Sequence, residues 1–122
     1  MVRRHKTRLV VKSKSMATEE IHLNDFLEKN GVEVVETDLG EYIQQLDGEP
    51  PYHIVTPAMH KSKEDVAALF HRKLGTDPNA SPEALTNHAR ALLRDRYVEA
   101  GVGITGANFL LADTGGVCVT EK

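Results

Sequence analysis

The spacing of apolar and polar positions changes several times along the chain. Leu9-Val10-Val11 is a short run with two β-branched residues, and it predicts a buried strand. It enters the polar stretch Lys12-Ser13-Lys14-Ser15. Thr18 then offers a helix N-cap, with Glu19 and Glu20 in the first turn, where the helix dipole favours acids. Leu23, Phe26 and Leu27 recur at helical spacing on one face, and Asn30-Gly31 ends that helix. Val32–Thr37 reads as a second strand. Asp38 caps a short helix with the stripe Leu39, Tyr42, Ile43 and Leu46, and Glu41 takes the reciprocal capping-box position. A turn rich in Gly and Pro follows, and His53–Thr56 reads as a third strand stopped by Pro57.

The second half repeats the alternation. Ser62 caps a helix whose inner face is Val66, Leu69, Phe70 and Leu74, closed by Gly75. Ser81-Pro82 starts another, with proline at the first position, where a missing N–H does no harm. Its apolar side is Leu85, Ala89, Leu92, Leu93 and Tyr97, and Gly101 ends it. Val102–Thr105 is a fourth strand. Phe109–Ala112, the tight turn Asp113-Thr114-Gly115-Gly116 and Val117–Thr120 predict a closing hairpin or meander at the end of the sheet. Strands that alternate with helices predict an α/β fold, a mainly parallel open sheet flanked by helices and ending in a hairpin. The unfinished edge at Val117–Thr120 is open to pairing with another copy.

Composition narrows the class. The 122 residues, 27% charged and 40% hydrophobic, suit one modest globular domain. No apolar run approaches a membrane span, and no signal peptide follows the basic start. The single cysteine, Cys118, excludes an intrachain disulfide and a Cys-rich metal site. It favours a cytoplasmic protein and, within Val117–Val119, a small core thiol. Residues 1–14 hold six of the 15 basic residues and no acid. The remainder carries nine basic residues against 18 acids. A basic arm suggests nucleic acid, but the acidic body and the lack of interleaved aromatics argue against it. The six histidines lie outside any metal-ligand spacing. Gly101-Val102-Gly103 with Gly106 enters a strand rather than opening a helix, so it is no dinucleotide fingerprint.

The candidate chemistry gathers at the end of the first strand. Open α/β sheets hold ligands at such strand–loop–helix junctions. Lys12, Ser13, Lys14 and Ser15 offer two cations, two hydroxyls and a helix start, a set suited to a carboxylate or phosphate. If the strand continues, Lys12 and Lys14 face one way and Ser13 and Ser15 the other, so only one pair meets a given ligand. Asp38 and Glu41 follow the second strand at the same edge, where capping explains them better than ligand binding and a dual role stays open. Glu20 is an acid/base candidate, although a first-turn acid needs no such role. Asn108 and Asp113-Thr114-Gly115 sit in turns whose geometry favours these residues. There, Thr114 and the Gly115 amide would donate to a ligand oxygen, with Asp113 as base or orienter.

Several stretches resemble the lactate-utilisation protein B family and its LUD domain. They are Lys12–Met16, Glu19–Asn24, Val34–Glu41, Gly103–Phe109 and Asp113–Gly115, in order over nearly the whole chain. The resemblance implies a fold similar to the NagB/ribose-5-phosphate isomerase/CoA-transferase group. It implies a part in oxidising L-lactate to pyruvate beside companion lactate-utilisation proteins. It also implies [4Fe–4S] clusters on a cysteine-rich segment that these 122 residues lack, and hence a single LUD-like domain cut from a longer chain. Two positions depart from the family pattern: Asp113 stands where Glu is usual, and Gly116 where Thr is usual. Asp113 keeps the charge but shortens its reach. Two other readings stay open: a non-redox enzyme handling acyl, sugar or CoA substrates, and a non-catalytic domain that docks the companion proteins.

Overall fold

The computed structural model describes residues 2–50 and 57–120. The element order is α1 (Val2–His5), β1 (Leu9–Lys12), α2 (Met16–Glu20), α3 (Leu23–Lys29), β2 (Glu33–Glu36), α4 (Leu39–Asp47), α5 (Lys63–Leu74), α6 (Pro82–Glu99), β3 (Val102–Ile104), β4 (Phe109–Leu111) and β5 (Gly116–Cys118). The expected strand at His53–Thr56 lies outside the described residues.

Strands β1, β2 and β3 form a parallel sheet in the order β2-β1-β3. All four residues of the central strand β1 are buried, as expected for a parallel strand covered on both faces. The register pairs Val10 with Val34, Val11 with Val35 and Lys12 with Glu36. On one face Leu9, Val11 and Val35 pack with Leu93 of α6. Alternation turns Val10, Val34, Lys12 and Glu36 to the other face, where Asn24 of α3 meets Glu36. A second core joins Ile43 of α4, Ala67, Leu69 and Phe70 of α5, and Leu85 and Ala89 of α6.

The helix between β1 and β2 departs from expectation. Ser15, not Thr18, is the N-cap: its Oγ accepts from the Thr18 amide at 3.4 Å, and the helix begins at Met16. Ser15 and Thr18 both suit a cap, and the turn closes on the first. The helix then breaks at His22, whose φ of 50° is left-handed, giving two short helices in place of one. Phe26 consequently lies 61% exposed and off the inner face, while Leu27 is buried. Tyr97, expected inward on α6, is also exposed. The four-residue α1 was not evident in the pattern.

The closing strands form a separate sheet. β4 and β5 pair antiparallel with each other, Phe109 opposite Cys118 and Leu111 opposite Gly116, so they do not extend the parallel sheet. A short antiparallel pair satisfies its inner backbone groups across its own turn, here through the Gly115 amide to the Leu111 carbonyl at 2.8 Å. Every residue of β4 is exposed, and Cys118 is half-buried rather than part of either core.

Candidate functional site

Parallel strands end on a common edge, and here that edge carries the polar residues. Past β1 the Ser13 amide donates to the Ile104 carbonyl at 2.9 Å, and past β2 the Thr37 amide donates to the Lys12 carbonyl at 2.9 Å. The Thr37 hydroxyl donates to that same carbonyl at 3.0 Å. The three strand ends are thereby fixed to one another before the loops diverge.

Lys12 and Glu36 close this edge from the α3 side. Lys12 Nζ lies 2.8 Å from Glu36 Oε1, with side-chain exposures of 0% and 5%. The contact is an ion pair without hydrogen-bond angles, and Lys12 Nζ has no other partner among the described residues. Asn24 Nδ2 donates to Glu36 Oε1 at 2.9 Å. A lone carboxylate or ammonium here would be prohibitively desolvated, so each is tolerated only beside the other.

Lys14 reaches the same side. Its Nζ lies 3.8 Å from Glu41 Oε1, and the lysine side chain is 37% exposed while Glu41 is buried. Of the two lysines, only Lys14 presents charge to solvent. Ser13 turns the other way, its hydroxyl 3.4 Å from the Thr105 hydroxyl. Ser15 is occupied by capping α2. Asp38 caps α4, accepting from the amides of Gly40 at 3.1 Å and Glu41 at 3.3 Å.

Between α2, α3 and α4 lies a cavity of about 790 Å³, with Glu20, His22, Asn24, Glu36, Glu41 and Gln44 among its walls. Its size is that of a small-molecule site. Gln45 holds one wall in place: its Nε2 donates to the Val34 carbonyl at 2.6 Å, and its Oε1 accepts from the Glu36 amide at 3.0 Å. At the far end of α4, Lys61 bridges Asp47 and Glu49, His60 pairs with Glu49 at 2.8 Å, and Arg72 pairs with Asp47 at 3.3 Å. The hydrogen bonds from Lys61 hold the carboxyls of Asp47 and Glu49 below their ordinary range and push the Lys61 ammonium up. Burial pushes the Tyr42 phenol up, against the opposing charge of Arg96.

The structure thus gathers Lys12, Ser13, Lys14, Ser15, Asp38 and Glu41 at one sheet edge, with Glu20 on the adjoining cavity. The hairpin residues are engaged elsewhere. Asn108 Oδ1 accepts from the Thr120 amide at 2.8 Å, and Thr114 Oγ1 accepts from the Gly116 amide at 3.3 Å. Gly115 has a φ of 69° and Asp113 sits beside it in the turn. None of these hydrogen bonds reaches the parallel sheet. Sequence reasoning missed Glu36, Asn24, Gln44 and Gln45. The signal for Glu36 was present: β1 and β2 both read as apolar runs ending in a charge, Lys12 on one and Glu36 on the other.

A [4Fe–4S] cluster takes four cysteine thiolates, and the chain has one cysteine. No group of three His, Cys, Asp or Glu residues able to hold a metal ion occurs among the described residues. The residues present therefore do not fit such a cluster. No helix among them is long and apolar enough to cross a membrane.

The chain is 56% identical over 114 residues to lactate utilization protein B of Bacillus subtilis, a match covering 93% of this chain and 24% of that protein. It is 53% identical over 123 residues to the protein of the same name from Bacillus licheniformis, covering 100% of this chain and 26% of the relative. An uncharacterized electron transport protein of Escherichia coli, YkgF, is 48% identical over 122 residues, covering 100% of this chain and 26% of the relative. The chain spans about a quarter of the length of these relatives. No solved structure matches it significantly. The model of the LUD domain matches residues 1–122, and the chain belongs to the LUD domain family.

Proposed function

We propose that the chain serves lactate utilisation, as the LUD portion of a cytoplasmic protein that takes part in oxidising L-lactate to pyruvate. The observation that carries this reading is the 56% identity to a lactate utilization protein B over 93% of the chain. The electron-transport name of the Escherichia coli relative supports the redox character of the process.

Oxidation of L-lactate removes an electron pair and two protons, so an acceptor is required. The single cysteine places the iron–sulfur carriers of this reading on other segments or on companion lactate-utilisation proteins. This chain's part is to hold a small carboxylate at the sheet edge. Lys14 supplies the solvent-facing cation, while Ser13 faces away from it, its hydroxyl bonded to that of Thr105 at 3.4 Å. Lys12 acts behind Lys14, its charge already matched by Glu36. Ser15 and Asp38 cap the two helix starts beside the ligand, and Glu41 closes no reciprocal capping box but faces Lys14. Glu20, on the adjoining cavity, is the acid/base candidate of this edge, whereas Asp113, Thr114, Asn108 and Gly115 lie on the separate hairpin, where the Gly115 amide is already given to the Leu111 carbonyl.

A docking role also has a specific observation behind it. Phe109 and Leu110 are 63% and 75% exposed on a hairpin that packs into neither core. Such an apolar strand suits contact with a companion protein or a second copy.

Thermal stabilisation of the purified chain by L-lactate, with sulfate at matched ionic strength as control, tests the carboxylate site. Stabilisation that disappears in Lys14→Ala supports it. An equal response in Lys14→Ala, or no response to L-lactate, removes it.

A further inference from the structure

The cavity between α2, α3 and α4 is lined by many acids, yet the most buried of its polar lining residues is the amide Gln44. Gln44 is 1% exposed, and among the described residues neither its Nε2 nor its Oε1 has a hydrogen-bond partner. Each unpaired buried polar atom is a penalty of roughly 1–3 kcal/mol, and natural cores rarely keep one. Glu36 Oε2 and Asn24 Oδ1, on the same cavity, also lack a hydrogen bond among the described residues, the Glu36 charge being matched through its other oxygen by Lys12. These free atoms comprise three acceptors and one donor. The carboxylates of Glu20 and Asp25 add further negative charge at the walls. A wall of this kind attracts a donor-rich cation.

We propose that this cavity binds a small organic cation, an amine or guanidine, that also carries one carbonyl acceptor. The cationic N–H groups would donate to Glu36 Oε2, Gln44 Oε1 and Asn24 Oδ1. The carbonyl would accept from Gln44 Nε2. Inverting the Gln44 amide exchanges these two contacts without changing the class of ligand. The site is distinct from the Lys14 edge, since one selects a cation and the other an anion, and it does not depend on the lactate reading.

L-argininamide, which has a guanidinium and one amide carbonyl, is the probe. Calorimetric titration of the 122-residue chain should show saturable binding, with a Kd on the order of millimolar or tighter. Gln44→Leu keeps the volume and removes both unpaired atoms, so its melting temperature should equal or exceed that of the parent while argininamide binding is lost. Its response to L-lactate should match the parent's, which separates failure of this site from failure of the sheet-edge site. Asp25→Asn removes one exposed negative charge from the wall without touching these contacts, should weaken argininamide binding about two- to fivefold at low salt, and serves if Gln44→Leu does not fold. Absence of saturable binding, the result expected if water alone fills the cavity, overturns the proposal. So does undiminished binding in Gln44→Leu or, where that variant does not fold, in Asp25→Asn.

Discussion

Lys12 and Glu36 occupy directly paired positions on adjacent parallel strands, and their charged ends meet at 2.8 Å in the interior. The pair ties the floor of the cavity to the ligand-facing edge of the sheet. Removing one member leaves the other charge buried and unmatched, and such losses run to about 3–5 kcal/mol. Lys12→Met should lower stability by about that amount in urea denaturation, and Glu36→Gln added to it should recover much of the loss. A single variant as stable as the parent would mean that the interior is wet enough to solvate the remaining charge.

Gln45 caps the outer backbone of β2 through both ends of its amide. Gln45→Met keeps the length but withdraws both hydrogen bonds, leaving the Glu36 amide and the Val34 carbonyl to find water. The expected loss is roughly 1–3 kcal/mol. Hydrogen exchange at the Glu36 amide should accelerate more than at β1 amides, since β1 lies inside the sheet.

Gly101 leaves no room for a side chain. A Cβ there would fall 2.6 Å from both Cβ and Oγ1 of Thr7, and that hydroxyl accepts from the Gly101 amide at 3.2 Å and donates to the Leu9 carbonyl at 2.7 Å. Gly101→Ala should therefore cost roughly 1–3 kcal/mol. The double variant Gly101→Ala with Thr7→Gly should lose less of the packing energy than the sum of the singles, measured by a denaturation cycle.

The Lys61 cluster sets an acid and an alkaline limit. The carboxyls of Asp47 and Glu49 are held below their ordinary range in the folded chain. As pH falls, the unfolded chain takes up protons first, so the stability they contribute is present above the ordinary carboxylate range and is lost through and below it. The Lys61 ammonium is raised, so its contribution is present below the ordinary lysine range and is lost as pH rises through the raised value. Lys61→Met should flatten both arms of the stability–pH curve. An unchanged acid arm in that variant would assign the acid loss to other groups.

Periodicity made much of this chain legible. The run Leu9–Val11, the alternation of strands with helices, the Ser62 and Ser81 caps and the stripe of α4 are local signals, and each has its counterpart in the structure. What stayed hidden depends on distance along the chain. The partner of Lys12 is set by the register of a strand 24 residues later, and no local pattern fixes a parallel register. The left-handed His22 splits one expected helix into two, although its neighbours Leu23 and Leu27 keep helical spacing. The hairpin's turn was legible from Gly115 and Gly116, but its separation from the main sheet was not, because strand propensity does not choose a partner. At the site, β1 stops at Lys12, so strand alternation does not extend to Lys14, and both lysines instead meet carboxylates that line one cavity. The depth that spends Lys12 on Glu36 required the tertiary structure.

The lactate role is tested most directly by exchange of segments in a relative. In lactate utilization protein B of Bacillus subtilis, the quarter of the protein that this chain matches would be replaced by residues 1–122, and L-lactate consumption measured in cells lacking the native protein. Consumption restored by the parent segment, and much reduced by the Lys14→Ala segment at equal protein level, is the predicted result. A stable chimera that consumes no L-lactate would contradict the assignment.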